Sequence, residues 1–483
     1  MTITDATRIA KGSTYLVTQS IVDAAVRAVA FAFIARILTQ TEMGVRVALS
    51  LTVAVAHLLT DIGFGSALSK YIAEYRGRNA EYSPFLFSGV LVKTWTASLA
   101  AILCAMAAAQ LSQLLLKSSE YAVLFQLLSI YILLFCFGMT MSSLLLGLNK
   151  IREIAILNIM LTLTAQISAV ILVMFGYGLT GLITGWILGQ LAYFIISVFI
   201  IAKGRHLTKH SISEIAPFLR VLAKFSWPLF LTNIVVFVYS SFDQAVLLAY
   251  LPLSDVGVYS VALLVFTVLS IVPTALSTTL FPYYSEQYGG NKHDSIMIGV
   301  RASTRYMTLL YLPLALGLMI TTNPVIILLA GPDYTKGAAV LSALCLFGGI
   351  TALSAAFGNL LFVYNMTKTF LLINIASVGV GMAMTMVLLP IFGLTGMAVV
   401  KGVTMVISFV LTVYVLQRRM RIDFDKEALW KGWTAAIIMF GAVGLFEWIF
   451  FKPYLLPLYM LVGGIVYTIM LKLLKVVHQN DLL

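Results

Sequence analysis

Charge is what this sequence has least of. Only 10% of its 483 residues are Asp, Glu, Lys or Arg, 61% are hydrophobic, and mean hydropathy is +1.00. A soluble globular protein cannot keep its surface wet with so few charges, so that class is excluded. Cysteine is almost missing too. Cys104, Cys136 and Cys345 all fall in apolar runs with no CxxC pair, which speaks against a disulfide framework and a zinc site. There is no P-loop, no HExxH and no GxSxG, and most of the five histidines lie between apolar runs. No large extramembrane domain interrupts the chain. The sequence therefore reads as a non-enzyme without cofactor or metal site.

What is present is apolar and long. The runs reach about 20 residues or more, enough to cross about 30 Å of hydrocarbon as helices, whereas barrel strands would alternate over about 10. The pattern predicts an all-α polytopic membrane protein with about fourteen spans. They fall at about 13–38, 46–69, 85–111, 122–148, 153–175, 179–202, 225–250, 256–281, 302–322, 338–363, 369–390, 394–417, 432–451 and 454–473. The first apolar stretch is far longer than a signal h-region and follows polar residues with Arg8 and Lys11, so it is expected to remain as a span.

The formal net charge of +12 raises nucleic acid as a partner, but topology explains the cations better. With the N-terminus inside, 23 of the 31 Lys and Arg fall in inner segments. Four fall outside (Arg46, Lys117, Lys336 and Lys452), and Arg27, Arg36, Lys93 and Lys401 lie within spans. That bias places both termini in the cytoplasm of a multi-pass cell-membrane protein.

The chain repeats itself. Leu38-Thr39-Gln40-Thr41-Glu42-Met43-Gly44-Val45 returns as Leu251-Pro252-Leu253-Ser254-Asp255-Val256-Gly257-Val258, offset by 213. Tyr71 meets Tyr284 at the same offset, and Gly178-Leu179-Thr180-Gly181 returns as Gly393-Leu394-Thr395-Gly396. Two parallel six-helix lobes follow, 1–210 and 211–424, around a central cavity, with an appended helix pair in 425–483. The polar stretch from Lys203 to Lys224 joins the lobes, and its basic face suits anionic headgroups.

A charge in hydrocarbon costs a few kcal/mol, so it faces protein or water. Each one is a candidate contact, set against a structural role as a buried pair or a snorkelling end. Asp23 and Arg27 share a face with Gln19 on span one, while Arg36 snorkels. His57 and Asp61 share a face of span two that can meet this stripe. Lys93 lies two turns into span three, ahead of Thr96. Asp243 follows Asn233 and Ser240 on span seven, and Lys401 leads Thr404 and Ser408 on span twelve. Such a cavity suits an anionic head, although the acids nearly cancel the cations. Pro228, Pro273, Gly348 and Gly349 predict helices that bend.

These features come in an order that resembles the polysaccharide transporter (O-antigen flippase-like) branch of the multidrug/oligosaccharidyl-lipid/polysaccharide exporter (MOP) superfamily. The likeness covers the whole chain. It rests on the six-plus-six-plus-two plan, on Arg36-Ile37-Leu38 with Glu42-Met43-Gly44, and on the run Gly63 to Glu74. Asp243-Gln244, Asp255 to Tyr259 and Leu280-Phe281-Pro282 complete it. The resemblance implies a flippase that carries a polyprenyl-phosphate- or pyrophosphate-linked oligosaccharide to the outer leaflet by alternating access, for surface glycan assembly. It implies Arg27, Lys93 and Lys401 as phosphate and sugar contacts, and the in-span charges add Asp23, Asp61, His57 and Asp243 as candidate substrate-binding residues. H+ or Na+ is open as coupling ion, and a glycan polymerase or glycosyltransferase as protein partner. The rivals are a cation-coupled multidrug antiporter of the same superfamily, with Asp23 as its coupling carboxylate, and a lipid II flippase.

Overall fold

Helix starts and stops are set by short polar signals between apolar runs. The computed structural model describes residues 3–203, 210–420 and 424–476, with side chains from 15 onward except 16, 17 and 212. Thr39 and Glu42 show how a helix starts. The Thr39 hydroxyl accepts from the Glu42 N–H at 3.2 Å, and the Glu42 carboxylate accepts from the Thr39 N–H at 2.8 Å. This capping box satisfies two donors that a helix N-terminus leaves open. Ser211 and Glu214 do the same for a later helix. Among the described residues there is no strand.

The first unit, Met1–Gly257, holds α1 Ile3–Ile37, α2 Gln40–Asp61, α3 Phe64–Gly77, α4 Ser83–Met106, α5 Ala108–Leu116, α6 Ala122–Gly147, α7 Ile151–Leu172, α8 Gly178–Lys203 and α9 Ile212–Tyr250. Helix α1 runs beside α7, and α7 beside α8. Helix α2 packs on α4, α6 and α9. The core is aliphatic and aromatic, with Leu68, Ile72, Phe85, Leu86, Leu144 and Leu222 fully buried. The basic stretch before span seven is the first part of α9, which runs unbroken through Pro217 and Pro228 to Tyr250. Residues 204–209 of the joint lie outside the described residues.

Helix α10, Leu253–Leu269, leads into the second unit, Val258–Leu483. There follow α11 Ile271–Gly289, α12 His293–Tyr306, α13 Leu312–Ile320, α14 Thr322–Ala330, α15 Gly337–Thr351, α16 Ser354–Val363, α17 Thr367–Gln417, α18 Lys426–Ile449 and α19 Leu456–Leu473. Helices α10 and α11 bend by 43° at Ser270, just before Pro273, and α15 and α16 bend by 55° a few residues after Gly349. Both are bends that the proline and the glycines predict. The appended pair α18/α19 packs against α13, through Leu312, Leu316, Met439 and Val443. A polar clasp fastens it to α12. Arg305 donates to the Asp425 carboxylate at 2.9 Å and to the Val476 carbonyl at 2.6 Å, and Asp425 caps α18 by accepting the Ala428 N–H at 2.9 Å.

The second echo is also an echo of backbone shape. Gly178 has φ 49° and ψ −132°, and Gly393 has φ 55° and ψ −130°. Only glycine occupies that region readily, so the same sharp turn needs the same residue in both copies. Each glycine breaks a long apolar helix, Ile151–Lys203 in one unit and α17 in the other. Among the described residues nine helices, these two included, are long and apolar enough to cross a membrane. Two bent pairs bring the number to eleven.

Candidate functional site

The site is built where span two breaks. The sequence predicts one helix over about 46–69, but α2 stops at Asp61 and α3 starts at Phe64. Between them Ile62 (φ 48°) and Gly63 (φ 75°) are both left-handed. Glycine accepts that conformation, whereas isoleucine there carries strain on the order of 1–2 kcal/mol. A Cβ on Gly63 would stand 2.9 Å from both the Ser226 carbonyl and Leu229 of α9, so close packing also selects glycine. Broken backbone at membrane depth persists only where protein or water satisfies it.

Three charged or titratable residues surround the break. Asp61 Oδ1 accepts the Gly65 N–H at 3.2 Å, which ties the carboxylate to the start of α3. The same oxygen lies 3.7 Å from Lys93 Nζ. Lys93, on α4, is 2% exposed and donates to the Thr60 carbonyl at 3.2 Å. Thr96 donates to that carbonyl too, at 3.4 Å. A cation at the carbonyl end of α2 answers both the free lone pairs and the negative end of the helix dipole. The Thr60 hydroxyl meets Cys136 Sγ of α6 at 3.2 Å. One turn before Asp61, His57 packs edge-on to Phe135 at 5.4 Å, and its Nδ1 is buried with no hydrogen-bond partner. The lysine–carboxylate pair can rearrange, because 3.7 Å is longer than a charge-assisted hydrogen bond.

The other predicted residues have their own surroundings. On the His57–Asp61 face, Asp61 pairs with Lys93 of α4. On α1, Asp23 Oδ2 accepts from Gln19 at 3.1 Å, while Oδ1 is buried without a partner. Among the described residues no ion pair joins Asp23 to Arg27, and Arg27 is exposed, with no hydrogen bond or ion pair of its own. Asp243 is fully buried on α9. Lys401 is partly buried on α17 in the second unit.

Two residues were missed. Arg46, read as an outer-loop cation, lies inside α2 with its guanidinium 4.9 Å above Phe31. The Thr39-Gln40-Thr41-Glu42 capping signal was in the sequence and moves the helix start to Gln40, which puts Arg46 in its second turn. Glu447 is 8% exposed near the end of α18. It is a lone acid in an apolar run and could have been found on that ground.

Apolar helices with a broken span and buried charges define a polytopic membrane protein of the transporter type. The chain belongs to the polysaccharide biosynthesis protein family of the MOP superfamily, whose profile matches residues 9–287. A MatE profile matches residues 228–387. The probable low-salt glycan biosynthesis flippase Agl15 of Haloferax volcanii is 23% identical over 98% of this chain and 97% of that protein. The succinoglycan biosynthesis transport protein ExoT of Rhizobium meliloti is 27% identical over 66% of this chain and 61% of that protein. Among solved structures, the lipid II flippase MurJ in an inward closed conformation superposes with a TM-score of 0.77 at 17% identity, covering 95% of this chain and 98% of that one. An inward-facing multidrug resistance MATE family transporter gives 0.63 at 14%, covering 84% and 98%.

Proposed function

We propose that this protein is a flippase for a polyprenyl-phosphate- or pyrophosphate-linked oligosaccharide, moving it from the cytoplasmic to the outer leaflet for surface glycan assembly. The carrying observation is the end-to-end match to a glycan biosynthesis flippase, joined to a span broken at a buried lysine–carboxylate pair. In this reading the termini are cytoplasmic, the lobes are 1–210 and 211–424, and 425–483 is the appended pair. Fourteen spans result when each glycine-broken helix counts as two, each bent pair as one and α1 as one. Arg27 is the first proposed headgroup contact, since its guanidinium is exposed and, among the described residues, makes no ion pair, and a weakly hydrated cation binds phosphate well. Lys93 and Lys401 are proposed as further contacts, with Asp61, His57 and Asp243 tuning them. Asp23, with one buried unpartnered oxygen, is the proposed site for a coupling H+ or Na+. No chemical step on the substrate is proposed.

Deleting the gene tests this. Surface glycan should disappear while its lipid-linked precursor accumulates inside, and Arg27→Ala at normal membrane level should lower export. Undiminished surface glycan in the deletion strain rejects the proposal. The MatE match keeps a multidrug antiporter as a second reading. Drug resistance on overexpression, with glycan export unchanged by deletion, would favour it.

A further inference from the structure

The repeated turn makes a reciprocal contact with itself. Within the first unit, a Cβ added to Gly44 would stand 2.0 Å from the Leu253 carbonyl oxygen. A Cβ added to Gly257 would stand 1.9 Å from the Gln40 carbonyl oxygen. At the offset of 213, Gly44 corresponds to Gly257 and Gln40 to Leu253, so the two contacts are one contact made twice. In each, the glycine in the first turns of a helix lies against the carbonyl four residues before its counterpart. Backbone this close leaves room for no side chain at either position, the arrangement by which small residues join membrane helices.

The surroundings hold both turns in shape. The Thr39–Glu42 capping box fixes the first, and the Pro252 carbonyl accepts from the Asp255 and Val256 N–H groups at 3.0 and 3.2 Å in the second. Met43, Val45 and Val256 are at most 1% exposed. Just beside the contact, a cavity of about 440 Å³ is lined by Thr41 and Ser254, the paired hydroxyl residues of the two copies, and by Lys117 and Tyr250.

We propose that Gly44 and Gly257 form a two-fold backbone clasp that closes the outer end of the protein, and that the clasp parts when that end opens. It rests on the orientation and transport reading above. The duplication then has a purpose beyond packing: two copies of one turn make a contact flat enough to close tightly, with no side chains to disentangle on opening.

A cysteine at Thr41, beside the clasp, reports its state to a membrane-impermeant thiol reagent added outside intact cells. Adding Gly44→Ala or Gly257→Ala should raise its labelling rate at least fivefold. Gly379→Ala, whose Cβ meets no heavy atom within 4 Å, should leave the rate unchanged. Unchanged labelling in both clasp variants at normal membrane level overturns the proposal, as does a Thr41→Cys thiol reached only from the cytoplasmic side. If the alanine variants do not reach the membrane, a cleavable bis-thiol reagent joining Thr41→Cys to Ser254→Cys should stop export, and cleavage should restore it. Export at the unlinked rate overturns the clasp. Labelling needs no substrate, so faster labelling with undiminished glycan in the deletion strain supports the clasp and rejects the flippase reading.

Discussion

Lys93 and Arg305 are two solutions to one problem, a cation drawn out of solvent, fully at Lys93 and partly at Arg305, that is answered by a carboxylate and a backbone carbonyl. Arg305 does so tightly. It holds Asp425 at 2.9 Å and Val476 O at 2.6 Å, and Asp425 also caps α18. Lys93 does so loosely, with Asp61 at 3.7 Å and the Thr60 carbonyl at 3.2 Å, at a backbone break with two left-handed residues. Arginine's planar fork fixes geometry, whereas an ammonium is a point charge that can exchange partners. The tight pair fastens an appended helix pair to its unit. The loose pair, beside an imidazole nitrogen without a partner, is suited to move.

The contrast can be broken from either side. The largest stability loss should come from Arg305→Ala or Asp425→Ala, about 2 kcal/mol, because the first leaves the buried Asp425 carboxylate without its cation and the second removes both that pair and the cap of α18. Thermal unfolding of the purified protein in detergent would show it, and a drop below about 0.5 kcal/mol would mean the clasp is ornamental. Burial works to raise the Asp425 carboxyl, but the Ala428 N–H and the neighbouring Arg305 and Arg301 outweigh it and hold the group below the ordinary carboxylate range. Its stabilising contribution is therefore present above the unfolded-state value. It should fade as pH falls through the lowered folded value, on the acid side of about pH 4. Asp425→Asn should remove that part of the acid sensitivity.

At the loose pair the effect should fall on transport. Lys93→Met should lower export about tenfold, equivalent to about 1.4 kcal/mol. Asp61→Asn should do likewise, and the double variant should lose less than the two losses combined, since the residues share one interaction. Fully additive losses would mean that they act separately. The smallest effect is expected at His57. With Nδ1 unpartnered, His57→Phe should change stability by less than about 1 kcal/mol, because an apolar ring of similar size leaves no donor or acceptor buried. A fall in export without that change in stability would assign His57 a part in proton movement.

Much of this was legible in the sequence, for identifiable reasons. Apolar runs marked the helices because hydrocarbon demands it. Pro273 marked a bend, and the echo of Gly178 in Gly393 marked the repeat, though not the backbone shape that the two share. The break at Ile62–Gly63 stayed hidden because apolar residues continue through it, and hydropathy does not register φ. Asp61 and Lys93 were both singled out, but their pairing was not, since it depends on α4 lying beside α2. Nothing in the sequence marks Arg305 off from the other inner-segment cations, because its carboxylate partner lies 120 residues away. The sequence showed that the turn is duplicated. It could not show that the copies touch.

The most direct test is transfer across a vesicle membrane. Purified protein reconstituted with a fluorescent polyprenyl-pyrophosphate oligosaccharide should carry inner-leaflet substrate to an externally added glycosidase, and Lys93→Met should slow this about tenfold. Transfer no faster than in protein-free vesicles would contradict the flippase, and a Lys93→Met rate equal to wild type would contradict the role of the loose pair.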